Sequence, residues 1–313
     1  MVWRQWPWPL RTYLLLHQLI VIPSLRGVGV LGMSYRTLLS TPIQLRGLSE
    51  IADRYDCILL DQFGVLHDGR NPLPHAVETV TSLQKQGKQL IVLSNSSQRS
   101  STALRRIKRM GFANLEQILT SGEATWHYLA EHFKGKSCCF VTWNSFQKDN
   151  YLSELDISLA SIEKADFLFL HGSQTIVTSD DGKDSSRSDL QFIQDGRMDE
   201  HLLHILHVAI ERDIPVVCAN LDLTAKLADG STGYMPGSIL SCYKKLGGIN
   251  CITFGKPLAP FFDSAMELSH RMTISSSVSL QDKRVESPFD RKRRTLRTLH
   301  IGDSLHHDIQ GID

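Results

Sequence analysis

The chain has 313 residues, with 34 Lys and Arg against 33 Asp and Glu, so its formal net charge at pH 7 is +1. This length allows one to three domains with a large buried core. The near balance of charge gives no indication of a polyanionic partner such as nucleic acid. The six cysteines form no CxxC pair. That pattern is typical of buried thiols in a reducing compartment, not of a disulfide framework or a zinc site.

The first 46 residues differ in composition from the rest of the chain, because they contain five arginines and no Asp or Glu. Their apolar run at 13–23 is interrupted by His17 and Gln18, which makes it too short for a membrane span of about 20 residues. We expect residues 1–46 to be a disordered or removed leader, similar to an organelle transit peptide. A secretory signal and a start at Met33 are the alternatives. The expected location is the cytoplasm, or the chloroplast or mitochondrion if the leader is a transit peptide.

Residues 47–124 alternate between apolar runs and helical patterns. After a short helix at 47–54, the unbroken apolar run at 57–60 is typical of a strand buried on both faces of a parallel sheet. The following elements, alternately helix and strand, are expected at 76–86, 89–93, 100–110, 118–120 and from 121 onwards. This alternation predicts a doubly wound parallel sheet.

The alternation begins again near residue 137, which indicates a second α/β unit inserted into the first; we assign it to 125–245. Its predicted elements are strands at 138–142, 167–171 and 216–219, a polar loop at 178–189 and helices at 201–212 and 238–246. The first unit resumes over 246–313, with a strand at 252–254, a helix at 261–272 and a strand at 298–301. The basic run at 291–294 is interpreted as a solvated loop, not a nucleic-acid site.

Four strand ends carry polar side chains of complementary chemistry. Asp61 follows the first strand and Ser94 the second, while Lys256 and Asp303 follow the last two. In one parallel sheet these ends meet at a single edge, where open α/β sheets bind their ligands. A carboxylate nucleophile, a hydroxyl and a cation are the groups that phosphoryl transfer needs, and paired carboxylates bind Mg²⁺. Taken alone, Asp61 could equally end a core strand and cap the next turn.

These residues resemble the four motifs of the haloacid dehalogenase-like hydrolase superfamily. The matching segments are DQFGVL at 61–66, LSNS at 93–96, GKP at 255–257, and GDS at 302–304 with Asp308. The resemblance covers about residues 50–313 and is to class IIA, whose α/β cap lies between motifs two and three. It implies a doubly wound, Rossmann-like core with an inserted α/β cap domain.

The resemblance implies a role for each matching residue. Asp61 would be the nucleophile that forms an aspartyl-phosphate, Ser94 and the Asn95 backbone would bind phosphate, and Lys256 would neutralise it. Mg²⁺ is the implied cofactor, and its implied ligands are Asp61, the backbone carbonyl of Phe63, Asp303 and, in support, Asp308. Asn220 and Asp222 lie in a stretch similar to the class's Ala-Asn-Pro-Asp turn, which places them on the substrate side of the cap.

Two features depart from the family pattern. Family phosphatases carry a general acid/base aspartate two residues after the nucleophile, where this chain has Phe63; losing such a proton donor costs about 10²–10⁴-fold in rate. Asp68 in the same loop is expected to form a turn. The sequence also stops soon after motif four, where the family continues into another helix and strand, so we expect a shortened C-terminal end.

The leading hypothesis is a Mg²⁺-dependent phosphatase of a small phosphorylated metabolite, because a cap that closes over its site favours small substrates. The alternative, motivated by Phe63, is a catalytically impaired phosphate-binding or regulatory protein. A haloacid dehalogenase also carries an aromatic residue at this position, but that chemistry needs no metal, and the retained Gly302-Asp303 argues against it. We expect no nucleic-acid or membrane partner; a homo-oligomer formed through the cap is a further hypothesis.

Overall fold

The computed structural model describes residues 45–144, 151–179, 186–227, 229–279 and 296–308. The predicted leader, apart from its last two residues, and the basic run at 291–294 lie outside these residues. No helix in the described ranges is long and apolar enough to cross a lipid bilayer. Within them the chain forms two α/β units, each with its own sheet.

The elements are numbered in chain order over the described residues. The strands are β1 (Cys57–Leu60), β2 (Gln89–Ser94), β3 (Ile118–Thr120), β4 (Ser137–Thr142), β5 (Ser158–Leu159), β6 (Phe167–Leu170), β7 (Thr175–Thr178), β8 (Ser186–Asp189), β9 (Val216–Cys218), β10 (Thr224–Lys226), β11 (Thr232–Tyr234), β12 (Cys251–Thr253) and β13 (Thr298–Ile301). The α-helices are Ala76–Lys85, Ser100–Arg109, Ser121–His132, Phe192–Asp195, Glu200–Glu211, Pro236–Lys245, Ala259–Ser279 and Leu305–Asp308, and two 3₁₀ turns span Leu48–Glu50 and Ala52–Arg54.

The first sheet is parallel, with the strand order β13-β1-β2-β3. All four residues of β1 are buried, because alternate side chains of a strand point to opposite faces and helices cover both of them. On one face Ile58 packs in a cluster with Val80 and Ile107. On the other face Leu59 packs in a cluster with Phe262. The predicted doubly wound parallel sheet is therefore confirmed.

The second sheet has seven strands, in the order β12-β9-β6-β4-β7-β8, with β5 also paired to β4. Strands β12, β9, β6 and β4 are parallel, whereas β7 and β8 are antiparallel. Apolar clusters cover both faces of this sheet as well. A separate hairpin of β10 and β11, which the sequence did not indicate, follows β9.

Two elements differ from the sequence-based expectation. The polar stretch at 178–189 includes β8, which pairs with β7 although its four side chains are exposed. An edge strand whose side chains are exposed carries no apolar pattern. Strand β12 pairs with β9 in the second sheet, so that sheet continues to Thr253, beyond the predicted boundary at residue 245. The apolar pattern of a three-residue strand does not reveal which sheet the strand joins. The domain limits at 47–124, 125–245 and 246–313 stay a prediction.

Candidate functional site

Adjacent strand ends bring the first two carboxylates together. Asp61 follows β1 directly, and its backbone N–H donates to the Ile301 carbonyl of β13 at 2.8 Å. Asp303 comes two residues after Ile301, and its carboxylate lies against Gly64. A Cβ on Gly64 would lie 1.9 Å from Asp303 Oδ2, and the Gly64 φ angle is +81°. Only glycine allows both this close approach and this backbone conformation.

A buried lysine joins these carboxylates to a third. The Lys256 ammonium donates to Asp61 Oδ1 at 2.7 Å and to Asp308 Oδ1 at 2.6 Å. Lys256 is only 2% exposed. It follows β12, so it does not come from the edge of the first sheet, as the sequence had suggested; it arrives from the second sheet.

Asn95, directly after β2, fixes the backbone of Lys256. The Asn95 side chain accepts from the Lys256 N–H at 2.7 Å and donates to the Lys256 carbonyl at 2.9 Å. The same amide donates to Asp222 Oδ1 at 2.8 Å, and the Asp222 N–H donates to Asn220 Oδ1 at 2.8 Å. One side chain therefore links the first unit to the lysine loop and to the 219–222 turn of the second unit.

Ser94, the last residue of β2, is buried. Its hydroxyl accepts from the Ser96 N–H at 3.2 Å, a local contact within the loop. The structure thus brings together Asp61, Asn95, Asp222, Lys256, Asp303 and Asp308, whereas Ser94 shows no side-chain contact with them among the described residues.

The three carboxylates form a set that could hold a metal. Asp61, Asp303 and Asp308 each offer an oxygen, and these oxygens lie within 4.8 Å of one another. When all three are ionised, the single charge of Lys256 leaves a net charge of about −2. A hard divalent cation such as Mg²⁺ prefers carboxylate oxygen and would balance this charge. The residues present therefore fit the cation.

Burial raises the pKa of Asp61 to about 7; Asp308 and Asp303 add to the rise, and Lys256 opposes it. Burial and the nearby Asp308 also raise the pKa of Asp303. Burial alone would raise the pKa of Asp308, but Lys256 and His300 outweigh it and hold that pKa below its ordinary value. Asp308 differs from Asp61 because its second oxygen also accepts from the Ser304 N–H, at 3.0 Å.

Comparison with known proteins finds haloacid dehalogenase-like hydrolases and phosphatases. Residues 58–157 match the family described as haloacid dehalogenase-like hydrolase. A 4-nitrophenylphosphatase from Schizosaccharomyces pombe is 35% identical over 98 residues, which are 31% of this chain and 32% of that protein. A haloacid dehalogenase-like hydrolase from Brucella suis 1330 has a TM-score of 0.64 at 20% identity, over 84% of this chain and 83% of its own. A glycerol phosphate phosphatase from Mycobacterium tuberculosis, in complex with magnesium, has a TM-score of 0.53 at 18% identity, over 83% and 66% of the two chains.

Residues 58–157 are therefore similar to the haloacid dehalogenase-like hydrolase family. The second sheet lies between the segments that resemble motifs two and three, at 93–96 and 255–257, as the resemblance to class IIA implied. The sequence match nevertheless spans only about a third of the length of the curated phosphatase, and the structural likeness, at about 20% identity, shows the fold alone.

Phe63 stands two residues after Asp61, where the resemblance implied a general acid. Its ring lies edge-on to His67, with ring centroids 5.6 Å apart. A Cβ on Gly69 would lie 2.8 Å from the Phe63 ring, so the ring packs against the backbone of its own loop. Asp68 accepts from the N–H groups of Arg70 and Asn71 and is exposed. It forms the predicted turn and offers no acid in place of Phe63.

A cavity of about 250 Å³ lies between the two units. Residues 96–98 of the loop after β2 line one side; Trp143, Gln174 and Asn220 of the second unit line the other, and Arg106 completes the wall. Of these, only Asn220 is a sequence-predicted site residue. Arg106 lies on a helix that also carries Arg105, Lys108 and Arg109, so its sequence context does not distinguish it.

A buried histidine joins the units beside this cavity and makes stability depend on pH. His171 Nε2 lies 3.1 Å from the Ser97 carbonyl, and Nδ1 lies 2.9 Å from Thr142 Oγ1. Burial lowers the pKa of His171 from 6.5 to about 4. Between these values the unfolded chain binds a proton that the folded chain does not, so stability falls as the pH falls.

We expect His171 to remove about 2 kcal/mol from the unfolding free energy between pH 7 and pH 5. Urea unfolding at both pH values, on the given protein and on His171→Asn, measures this contribution. The unfolding free energy of the variant should depend less on pH. Part of the pH dependence that remains comes from His67 and His300, because burial also lowers their pKa values to about 4. An equal pH dependence in both proteins would show that His171 does not stay neutral in the fold.

Proposed function

We propose that the protein is a Mg²⁺-dependent phosphatase that hydrolyses a small phosphorylated compound through an aspartyl-phosphate on Asp61. The observation that supports it most is the buried ammonium of Lys256 between Asp61 and Asp308, with Asp303 in the same 4.8 Å cluster. A structural ion pair alone would not require a third carboxylate, whose presence raises the electrostatic cost of the cluster. An anionic substrate and a divalent cation would use all four groups.

The contacts of Asp61 favour one of its oxygens as the attacking atom. Oδ1 accepts from Lys256 and from the Gln62 N–H at 2.7 Å, so Oδ2 is the oxygen that forms the new bond to phosphorus. The phosphorus–oxygen bond to the leaving group breaks in the same step. A water molecule then attacks phosphorus, which frees the Asp61 carboxylate and releases inorganic phosphate.

The surrounding groups would hold the phosphoryl oxygens. Lys256, the Ser94 hydroxyl and the Asn95 backbone N–H are the proposed donors. The proposed Mg²⁺ ligands are Asp61, the Phe63 backbone carbonyl and Asp303, with Asp308 in support. When bound, Mg²⁺ would offset the repulsion between an anionic nucleophile and an anionic ester.

We expect hydrolysis of 4-nitrophenyl phosphate to require Mg²⁺ and to fall to background in a chelator. The physical reason is that Asp61 and Asp308 already balance the charge of Lys256, so the protein alone offers no net positive charge to a phosphate dianion. Initial rates in Mg²⁺ and in chelator measure the requirement. Equal rates in both conditions would contradict the proposed metal role.

Phe63 also supports a second candidate, a phosphate-binding protein with little turnover, and one substitution separates the two. If the machinery is intact, Phe63→Asp restores a proton donor and should raise kcat on a phosphate monoester with a poor leaving group by about 10²-fold or more. Phe63→Asn is the matched control, because it opens the same space without an acid. Phosphate and Mg²⁺ binding with no turnover in any of the three proteins would favour the binding role.

Cellular compartment and oligomeric state stay predictions. The compartment would depend on whether residues 1–46 act as a transit peptide. A homo-oligomer would form through the surface of the second unit.

A further inference from the structure

The wall of the cavity between the units includes the guanidinium of Arg106, a residue exposed on its helix. Arg106 Nη2 donates to the Gly69 carbonyl at 2.6 Å, which fixes the guanidinium. Within the part of the chain that the structure describes, no Asp or Glu side chain lies within ion-pair distance of Arg106. The remaining N–H groups of the guanidinium can therefore bind an anion.

Three other polar side chains of the cavity, those of Gln174, Asn220 and Ser97, can also donate to an anion. Gln174 Oε1 accepts from the Asn144 N–H at 3.0 Å, and Asn220 Oδ1 accepts from the Asp222 N–H. With both amide oxygens engaged, each side chain offers its NH₂ group. The Ser97 hydroxyl accepts from Trp143 Nε1 at 2.9 Å, so its O–H remains to donate. The described residues that line the cavity include no Asp or Glu.

This distribution of donors distinguishes an anion from a polyol. A sugar or glycerol hydroxyl both donates and accepts, so a site for it needs acceptor atoms as well. A carboxylate or phosphate only accepts, and a guanidinium binds either through two parallel hydrogen bonds. The cavity therefore fits an anionic group better than a neutral one.

The cavity begins next to the phosphoryl site. Ser96 follows Asn95, which brackets the Lys256 backbone. Asn220 Oδ1 accepts a hydrogen bond from the Asp222 N–H, and the Asp222 carboxylate accepts one from the same Asn95 side chain. Its volume of about 250 Å³ equals roughly eight water molecules at about 30 Å³ each, which is enough for a short chain.

We propose that the substrate carries a second anionic group, which Arg106 binds in this cavity while the phosphate ester lies at Asp61. This inference rests on the proposed phosphatase function and specifies its substrate class. The second group is a carboxylate or a second phosphate, because the same guanidinium geometry recognises both. Arg106 is then a specificity-determining residue.

Three probes of equal chain length test the proposal: 3-hydroxypropyl phosphate, 3-phosphonooxypropanoate and propane-1,3-diyl bisphosphate. The given protein should prefer one or both of the probes that carry a second anionic group. Arg106→Gln should reduce that preference, measured as a ratio of kcat/KM values, by about 10- to 100-fold. Most of the change should lie in KM, and Arg106→Lys should restore part of it. Arg105→Gln is the matched control, since Arg105 is exposed on the same helix, as Arg106 is, but does not line the cavity, and among the described residues its side chain donates to Thr102.

The outcomes separate this proposal from the phosphatase function. Hydrolysis of 3-hydroxypropyl phosphate, whose far end is uncharged, at the same efficiency as the other two probes would overturn the second anionic group while leaving the phosphatase role in place. A loss of equal size on all three probes in Arg106→Gln would show that Arg106 only supports the Gly69 loop. If no probe is hydrolysed, calorimetric binding of the same probes decides, and tighter binding of the carboxylate or bisphosphate that is lost in Arg106→Gln would sustain the proposal.

Discussion

Asp61→Asn is expected to reduce phosphatase activity by at least about 10³-fold, because it removes the proposed nucleophile. When catalytic groups act as a unit, removing one of them costs nearly as much rate as removing all of them. The same substitution should leave the folded state equally or more stable when it is measured in chelator. Burial raises the pKa of Asp61 to about 7, so the folded protein disfavours the charged carboxylate that asparagine replaces. Lys256 keeps Asp308 as its partner. Initial rates and urea unfolding measure the two effects.

Asp68→Asn is the control for this experiment. It makes the same chemical change in the same loop, at an exposed side chain whose contacts are with the turn backbone. It should retain activity. Comparable rates for the given protein and Asp61→Asn would remove Asp61 from the mechanism, and the phosphatase proposal would fail with it.

Lys256→Met is expected to lower the free energy of unfolding by about 3–5 kcal/mol, because it leaves buried carboxylates without their counter-charge. Asp61 and Asp308 each lose a hydrogen bond of 2.7 Å or less. The loss should be smaller at pH 5 than at pH 7.5. The two carboxylates protonate in the folded variant at higher pH than in the unfolded chain, so protonation favours the folded form. Urea unfolding at both pH values measures the effect.

Lys245→Met is the matched control, since Lys245 is exposed near the end of helix Pro236–Lys245 and should change stability little. Added Mg²⁺ should recover part of the stability lost in Lys256→Met, because the divalent cation supplies the missing positive charge to the same carboxylates. A variant as stable as the control, with no response to Mg²⁺, would mean that the cluster is not the charged arrangement described here.

The first sheet and its carboxylates could be predicted because their signals are local. The apolar run of β1 requires burial on both faces, and the next residue, Asp61, is therefore at the strand end. The final strand and Asp303 follow the same rule. Parallel pairing, with Leu60 beside Ile301, then brings the two carboxylates together.

The position of Lys256 could not be predicted in the same way. The sequence placed it at the same sheet edge as the carboxylates, whereas the strand that precedes it, β12, belongs to the second sheet. The contact depends on the Asn95 side chain, 161 residues away in the chain, and no local pattern encodes that separation. Strand β8 was missed because it is an exposed polar edge strand. The place of Arg106 in the cavity wall was not predicted, because it lies among several basic residues of one helix.

The Asn95 amide has a consequence for how the protein folds. Its hydrogen bonds reach Asp222 and Lys256 across 127 and 161 residues. Contacts of such separation form late, because the chain must lose the entropy of closing a long loop before the contact can stabilise it. We therefore expect the candidate site to assemble in the final step of folding. On the proposed function, a chain with a complete first sheet but an unfinished second unit would bind no phosphate, so the onset of phosphate binding during refolding would report when the two units dock.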